Sequence, residues 1–106
     1  MNLINKRICF PVALNCSYGG NTIASLGRLA DILVRDYCAT VIWIFPKQPS
    51  REWISNIQKK YKVFFTSNSY DKCESELKTF FRDCTPDIIH THYEAYDIAV
   101  AKAVDR

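Results

Sequence analysis

The sequence is poor in the residues that bend, break or crosslink a chain. Among 106 residues there are three glycines, four prolines, one methionine and two histidines. No Gly-x-Gly-x-x-Gly run occurs, so the usual dinucleotide fingerprint is excluded. The five cysteines, Cys9, Cys16, Cys38, Cys73 and Cys84, are odd in number and none stands at Cys-x-x-Cys spacing. That argues against a zinc site or a disulfide framework and for reduced thiols serving as small core residues. A reactive Cys16 beside the first loop is the alternative and is not favoured. No apolar run is long enough to cross a membrane, and Met1 to Arg7 lacks the hydrophobic stretch of a secretory signal, so a cytoplasmic location is expected. Fourteen Lys and Arg against eleven Asp and Glu leave a net charge of +3, too mild to indicate a nucleic-acid partner.

What is present suits a single small domain with a packed core, since 48 % of residues are hydrophobic and 24 % charged. Arg7 to Leu14 is a short apolar run predicting a first strand, with Pro11 placed at a bulge or near its end. The polar loop Asn15 to Thr22 follows, containing the pair Gly19-Gly20. Ile23, Leu26, Leu29, Ala30, Leu33 and Val34 recur at helical spacing through about residue 36, with Asn21 or Thr22 as cap. Gly27 lies inside that helix, where it costs up to about 1 kcal/mol relative to alanine, and close packing of helix on strand is one reason to tolerate it.

Ala39 to Phe45 is a continuous β-branched and aromatic run, the pattern of a strand buried on both faces in a parallel sheet. Pro46 to Ser50 ends it, and a helix with Ser50 as cap presents Trp53, Ile54, Ile57 and Tyr61 on one face. Lys62 to Thr66 predicts a third strand. An amphipathic helix follows from Tyr70 to about Cys84. The alternation predicts an α/β fold: a doubly wound, right-handed parallel sheet, Rossmann-like, of about four strands with alternating helices.

The fourth strand carries the most chemistry. Pro86-Asp87-Ile88-Ile89-His90-Thr91-His92-Tyr93-Glu94 passes from an apolar β-branched run through two histidines and on into an alanine-rich helix. Alternate residues of an extended chain share a face, so both imidazoles point the same way. His92 lies nearer the carboxyl end of the strand, where ligands bind in open α/β sheets. His90, expected to lie deeper, is read as structural. Metal binding by His90 and His92 is not expected, because Glu94 and Asp97 would complete a site only if the turn folded back.

Taken together, Tyr18-Gly19-Gly20, the helix ending Leu29-Ala30-Asp31-Ile32-Leu33 and the run from Pro86 to Glu94 resemble the start of the family 4 glycosyltransferases. These are retaining enzymes of the GT-B type with two Rossmann-like domains. Their amino-terminal domain opens with a strand, a glycine-pair loop and a helix, and later carries an Asp-[Ile/Val]-[Ile/Val]-His-x-His strand. The chain departs from the family in having Asp36-Tyr37-Cys38 where glycine and histidine usually follow the first helix. The resemblance covers nearly all of the sequence and implies a partial amino-terminal, acceptor-side domain. The carboxy-terminal domain that binds most of the nucleotide-sugar would lie outside it, so activity of this chain alone is not expected.

The resemblance implies that His92 faces the donor sugar and diphosphate and assists transfer. Gly19, Gly20 and Asn21 would bring main-chain amides to the phosphates at a helix start, whose dipole favours anions. A tight turn with no ligand is the alternative for the glycines. Tyr93 and Glu94 complete the set of substrate-binding candidates, although packing is the simpler role for Tyr93 and Tyr96. No cofactor is implied. The implied partners are a nucleotide-sugar donor and a glycan or lipid-linked acceptor. The basic stretch Lys47 to Lys62 reads as a solvated face, with peripheral contact at the inner face of a membrane as the sharper alternative. A second expectation is a non-catalytic module that pairs with a donor-binding chain, or with itself, through an exposed sheet edge. A flavodoxin-like or nucleotide-binding module would share only the fold.

Overall fold

Apolar residues switch between alternating and helical spacing along the chain, and the secondary structure switches with them. The computed structural model describes residues 2–104, apart from the side chain of Tyr70. The order is β1 (Arg7–Pro11), α1 (Gly20–Tyr37), β2 (Thr40–Pro46), α2 (Glu52–Gln58), β3 (Lys62–Thr66), α3 (Tyr70–Cys84), β4 (Ile88–Ile89) and α4 (Glu94–Val104). The strands form a four-stranded sheet in the order β3-β2-β1-β4 with every pairing parallel. This is the doubly wound, Rossmann-like α/β architecture expected from the alternation.

Alternation along β2 divides the core between two layers. Val41, Trp43 and Phe45 point toward α1 and α2, where they meet Leu26, Ala30, Leu33, Trp53, Ile54 and Ile57. Ile42 and Ile44 point the other way, with Cys9, toward Leu77 and Phe81 of α3 and Tyr96, Ala99 and Val100 of α4. Fully burying an aliphatic or aromatic side chain of this kind contributes about 1.5–3 kcal/mol relative to leaving it exposed. A strand buried on both sides thus has little freedom to slip, since a one-residue shift would exchange the two faces. The basic residues from Lys47 to Lys62 ring a helix whose apolar side is committed to this core, as Trp53, Ile54 and Ile57 are all buried. Among the described residues no helix is long and apolar enough to cross a membrane.

Several local expectations change. Strand β1 ends at Pro11, three residues before the expected limit. In this register the residues 7, 9 and 11 face β4: Arg7 accepts from the Asp87 amide at 2.8 Å, Cys9 from His90 and Pro11 from His92, both at 2.9 Å. Pro11 has no N–H to return to the His90 carbonyl, so the ladder is interrupted there. Pairing resumes at a parallel bridge between Val12 and His92. The regular strand β4 is thereby limited to Ile88–Ile89, while the amides of both histidines remain bonded to β1.

Helix α1 is preceded by Gly19 at the cap position, without a side-chain cap bond; neither Asn21 nor Thr22 caps it. Likewise Arg51, in extended conformation, stands at the cap position of α2 in place of Ser50. After α1, Cys38 takes the left-handed conformation (φ 53°) for which glycine is usual. Its N–H bonds the Val34 carbonyl at 3.2 Å and that of Ala39 bonds Leu33 at 3.1 Å, so the helix stops without glycine.

Gly27 does not serve close packing. A methyl group there would meet no atom of the described residues within 4 Å; it would enter a groove of about 250 Å³ between α1 and α2. Gly27→Ala is therefore expected to stabilise the protein by about 0.5–1 kcal/mol, from helix propensity and a less flexible unfolded chain. Equilibrium urea denaturation measures it, and a lower midpoint would show that the groove is narrower than described.

Candidate functional site

Chain order reverses beside β1: β2 and β3 lie on one side of it and β4 on the other. At such a switch point the two loops leaving the carboxyl ends of adjacent strands diverge and open a crevice, the usual ligand position in open parallel sheets. Here those loops are Ala13 to Gly19 after β1 and His90 to Tyr93 after β4. The Ala13 amide donates to the His92 carbonyl at 3.2 Å, and the hydroxyls of Thr22 and Tyr93 are 3.0 Å apart. The glycine turn, the first turn of α1, His92 and the first turn of α4 are thus brought together across the β1–β4 seam.

Both imidazoles lie on one face, as alternation requires. Ile88 packs in the layer of α1 and α2, so His90 and His92 follow it onto that side. Their ring centroids are 4.6 Å apart in an edge-to-face arrangement, and the His90 ring lies 5.5 Å from that of Phe10. The depths are the reverse of those expected: His90 is exposed and His92 half-buried. Residue 92 is bridged to the wholly buried Val12 beyond the end of β1, whereas residue 90 lies against the Phe10 ring and remains open to solvent.

Nε2 of His92 is out of contact with solvent and has no hydrogen-bond partner among the described residues. Burial lowers the imidazole pKa, the neighbouring His90 lowers it further, and Asp97 opposes both. The ring is accordingly neutral at physiological pH, with one nitrogen able to donate and the other to accept. Because the folded state disfavours the charged imidazole, the unfolded chain binds more protons below its pKa of 6.5. The stability contributed by keeping His92 neutral is full above that pH and is lost as pH falls through it toward the folded value. The His92 ring resonance should therefore titrate with a midpoint below 6.5 in NMR spectra of the folded protein, and a midpoint above it would show that Asp97 dominates.

The other candidates occupy distinct positions. Gly20 has φ +61°, a conformation that side chains rarely adopt. Gly19 has an ordinary φ, but a Cβ there would lie 2.7 Å from the Cβ of Ile23. Both glycines are thus required by the turn itself. Asn21 is exposed in the first turn of α1, a turn free of acidic residues. Glu94 is exposed in the first turn of α4, which also holds Asp97. Those carboxylates already complement the dipole of α4, so α1 is the helix left to attract an anion. Tyr93 is partly exposed at a left-handed φ of 74° and directs its hydroxyl to Thr22. Tyr96 packs: it is buried, with its hydroxyl bonded to Thr66.

Some contributors were not singled out from the sequence. Gln48 donates to the Leu14 carbonyl at 2.9 Å, Arg51 to the Asn15 side chain at 3.2 Å, and Trp53 Nε1 to the Cys16 carbonyl at 2.9 Å. The segment after β2 therefore holds the loop after β1 in place. These partners are more than thirty positions apart, and no local pattern announces them. Among the described residues no group of three or more His, Cys, Asp or Glu is placed to hold a metal ion. A depression of about 510 Å³ lies away from this end, between the last turns of α3 and α4 beside β4.

Comparison with protein-family models, with curated proteins and with solved structures finds no match. The geometry alone bears on function.

Proposed function

We propose that this chain is the acceptor-side part of a retaining glycosyltransferase of the GT-B type, working with a donor-binding domain to move a sugar from a nucleotide-sugar to a glycan or lipid-linked acceptor. The observation that carries this reading is a half-buried His92 at the switch point of a parallel sheet, followed by Tyr93, whose hydroxyl lies 3.0 Å from that of Thr22 in the first turn of α1. Breaking a sugar–phosphate bond leaves negative charge on the diphosphate, and the unbonded amides at the start of α1 suit that charge. A neutral imidazole next to them can donate to a sugar hydroxyl or phosphate oxygen without pairing with Glu94. A cytoplasmic setting, with the lysines around α2 touching the inner face of a membrane, belongs to the same reading.

An amide NMR titration with UDP-glucose and GDP-mannose tests it. Weak, millimolar-range perturbation should centre on Gly19, Gly20, Asn21, His92 and Glu94. Perturbation confined to other parts of the molecule would overturn the assignment of the site. Micromolar binding with turnover by this chain alone would overturn the claim that donor binding needs a second domain.

A second reading rests on β4, which among the described residues pairs with β1 alone and has an unpaired outer edge. On it, the chain is a non-catalytic module that adds a strand from a partner or from another copy of itself. Size-exclusion chromatography with light scattering discriminates: a monomer at several hundred micromolar counts against self-pairing.

A further inference from the structure

Glycine is costly in the middle of a helix, and no close neighbour accounts for it at position 27: a Cβ built there meets no atom of the described residues within 4 Å. The space it leaves is the groove of about 250 Å³ between α1 and α2. Its lining is mostly apolar or aromatic, with Ile23 from α1, Trp53 and Ile57 from α2, Tyr61 from the connection into β3 and Trp43 from β2 beneath. At the rim the Tyr61 hydroxyl and the Lys60 ammonium both reach the Asp31 carboxylate, the latter at 3.4 Å. Those bonds tie the connection into β3 to α1 one turn beyond Gly27 and leave the space beside Gly27 open.

One polar atom of this lining lacks a partner. Trp43 is wholly buried, and its Nε1–H, the single hydrogen-bonding group of the side chain, finds no acceptor among the described residues. The rings around it do not supply one: Phe10 and Phe45 have no acceptor atom, and the Tyr61 hydroxyl is taken up by Asp31. Trp53, in the same lining, has its own Nε1–H bonded to the Cys16 carbonyl at 2.9 Å. A buried, unpaired donor beside an unfilled apolar space calls for an acceptor carried in on an apolar body.

We propose that the groove between α1 and α2 binds a planar nitrogen heterocycle of one or two rings, lying beside Gly27 among Ile23, Trp53 and Tyr61, with a ring nitrogen accepting the Trp43 Nε1–H. A cavity of roughly 150 Å³ with apolar walls holds benzene, so the larger volume here admits a two-ring body such as a purine. A hydrocarbon ring would leave the donor unpaired, and a sugar would press hydroxyls against Ile23, Trp53 and Ile57 without partners. Nε1 is out of contact with solvent, so the heterocycle reaches it by parting α1 slightly from α2, and the missing side chain at Gly27 gives room for that movement. The groove shares no residue with the crevice at His92.

The test is a titration of the full chain with purine, followed in proton–nitrogen correlation spectra. Trp43→Phe removes one of the two indole signals and so assigns both. The Trp43 indole proton should move downfield saturably as its hydrogen bond forms, together with shifts of the Gly27 and Ile57 amides, and the Trp53 signal should not follow it downfield. Gly27→Leu, placed where no described atom obstructs it, fills the groove and should abolish the saturable shifts at an undiminished melting temperature. Trp43→Phe, which keeps a ring and loses the donor, should weaken purine about tenfold as read from the Gly27 and Ile57 amides, the loss expected for one hydrogen bond. Saturable shifts that leave the Trp43 indole proton in place, purine binding undiminished in Gly27→Leu, or no saturable shift with purine at tens of millimolar would each overturn the proposal.

Discussion

Trp43→Ala should lower the stability of the domain by about 3–5 kcal/mol, the range for removing a large aromatic from a packed core. Domains of this size are stable by only about 5–15 kcal/mol, so the variant should be partly or wholly unfolded at 37 °C. Trp43 is fully buried at the centre of the layer under α1 and α2. Its ring meets Phe10 edge-on at 5.1 Å, stacks with Phe45 at 5.8 Å and lies 6.1 Å from Tyr61. Alanine would leave a cavity among aromatics that are themselves held by the sheet and by α2, so little collapse is available to fill it.

Trp43→Phe separates packing from polarity at the same position. Nε1 of Trp43 has no hydrogen-bond partner among the described residues, and an unpaired buried donor costs about 1–3 kcal/mol. Phenylalanine discards that donor while keeping an aromatic ring against Phe10 and Phe45. The loss of ring volume and the relief of the donor therefore oppose each other, and the net cost should be much smaller than for alanine. Urea denaturation followed by far-ultraviolet circular dichroism reads both variants without relying on tryptophan fluorescence. Equal losses for Phe and Ala would mean that Nε1 is bonded in solution, through a water for example.

Gly19→Ala should cost about 1–3 kcal/mol, as overpacking does when the obstructing atom cannot move aside. The nearest obstacles, the Cβ of Ile23 at 2.7 Å and its Cγ1 at 2.8 Å, sit close to the helix backbone rather than at the end of a flexible side chain. Either the turn or the start of α1 must shift. Such a shift should also disturb the contact between Thr22 and Tyr93, visible as altered resonances of Tyr93 and His92. The same substitution at Gly27 has the opposite expected sign, because the space there is open. A stability change of the same sign in both variants would contradict the described course of α1.

How far the site was legible follows from the range of the interactions that build it. The glycine turn and the histidine strand were each recognisable from a few adjacent residues. Their closeness depended on β4 entering beside β1, a pairing across some eighty positions between Ile8 and Ile88. Local pattern also misjudged the two imidazoles: position along a strand suggested that His90 lay deeper, but depth depends on which neighbours cover each residue. Gly27 misled for a related reason. Close packing is one reason for a costly residue inside a helix, and the space beside it is open.

The sequence by itself determined the alternation of strands and helices, the two-faced burial of the second strand and the common face of the histidines. These follow from spacings of two and of about three and a half residues, which act over neighbouring positions. Only the tertiary structure decided that His92 is neutral and covered, that both glycines serve the turn, and that Cys9 is buried in the layer of α3 and α4. Each of those depends on atoms brought together from distant parts of the chain, where burial and close contact set the energies and no local spacing records them.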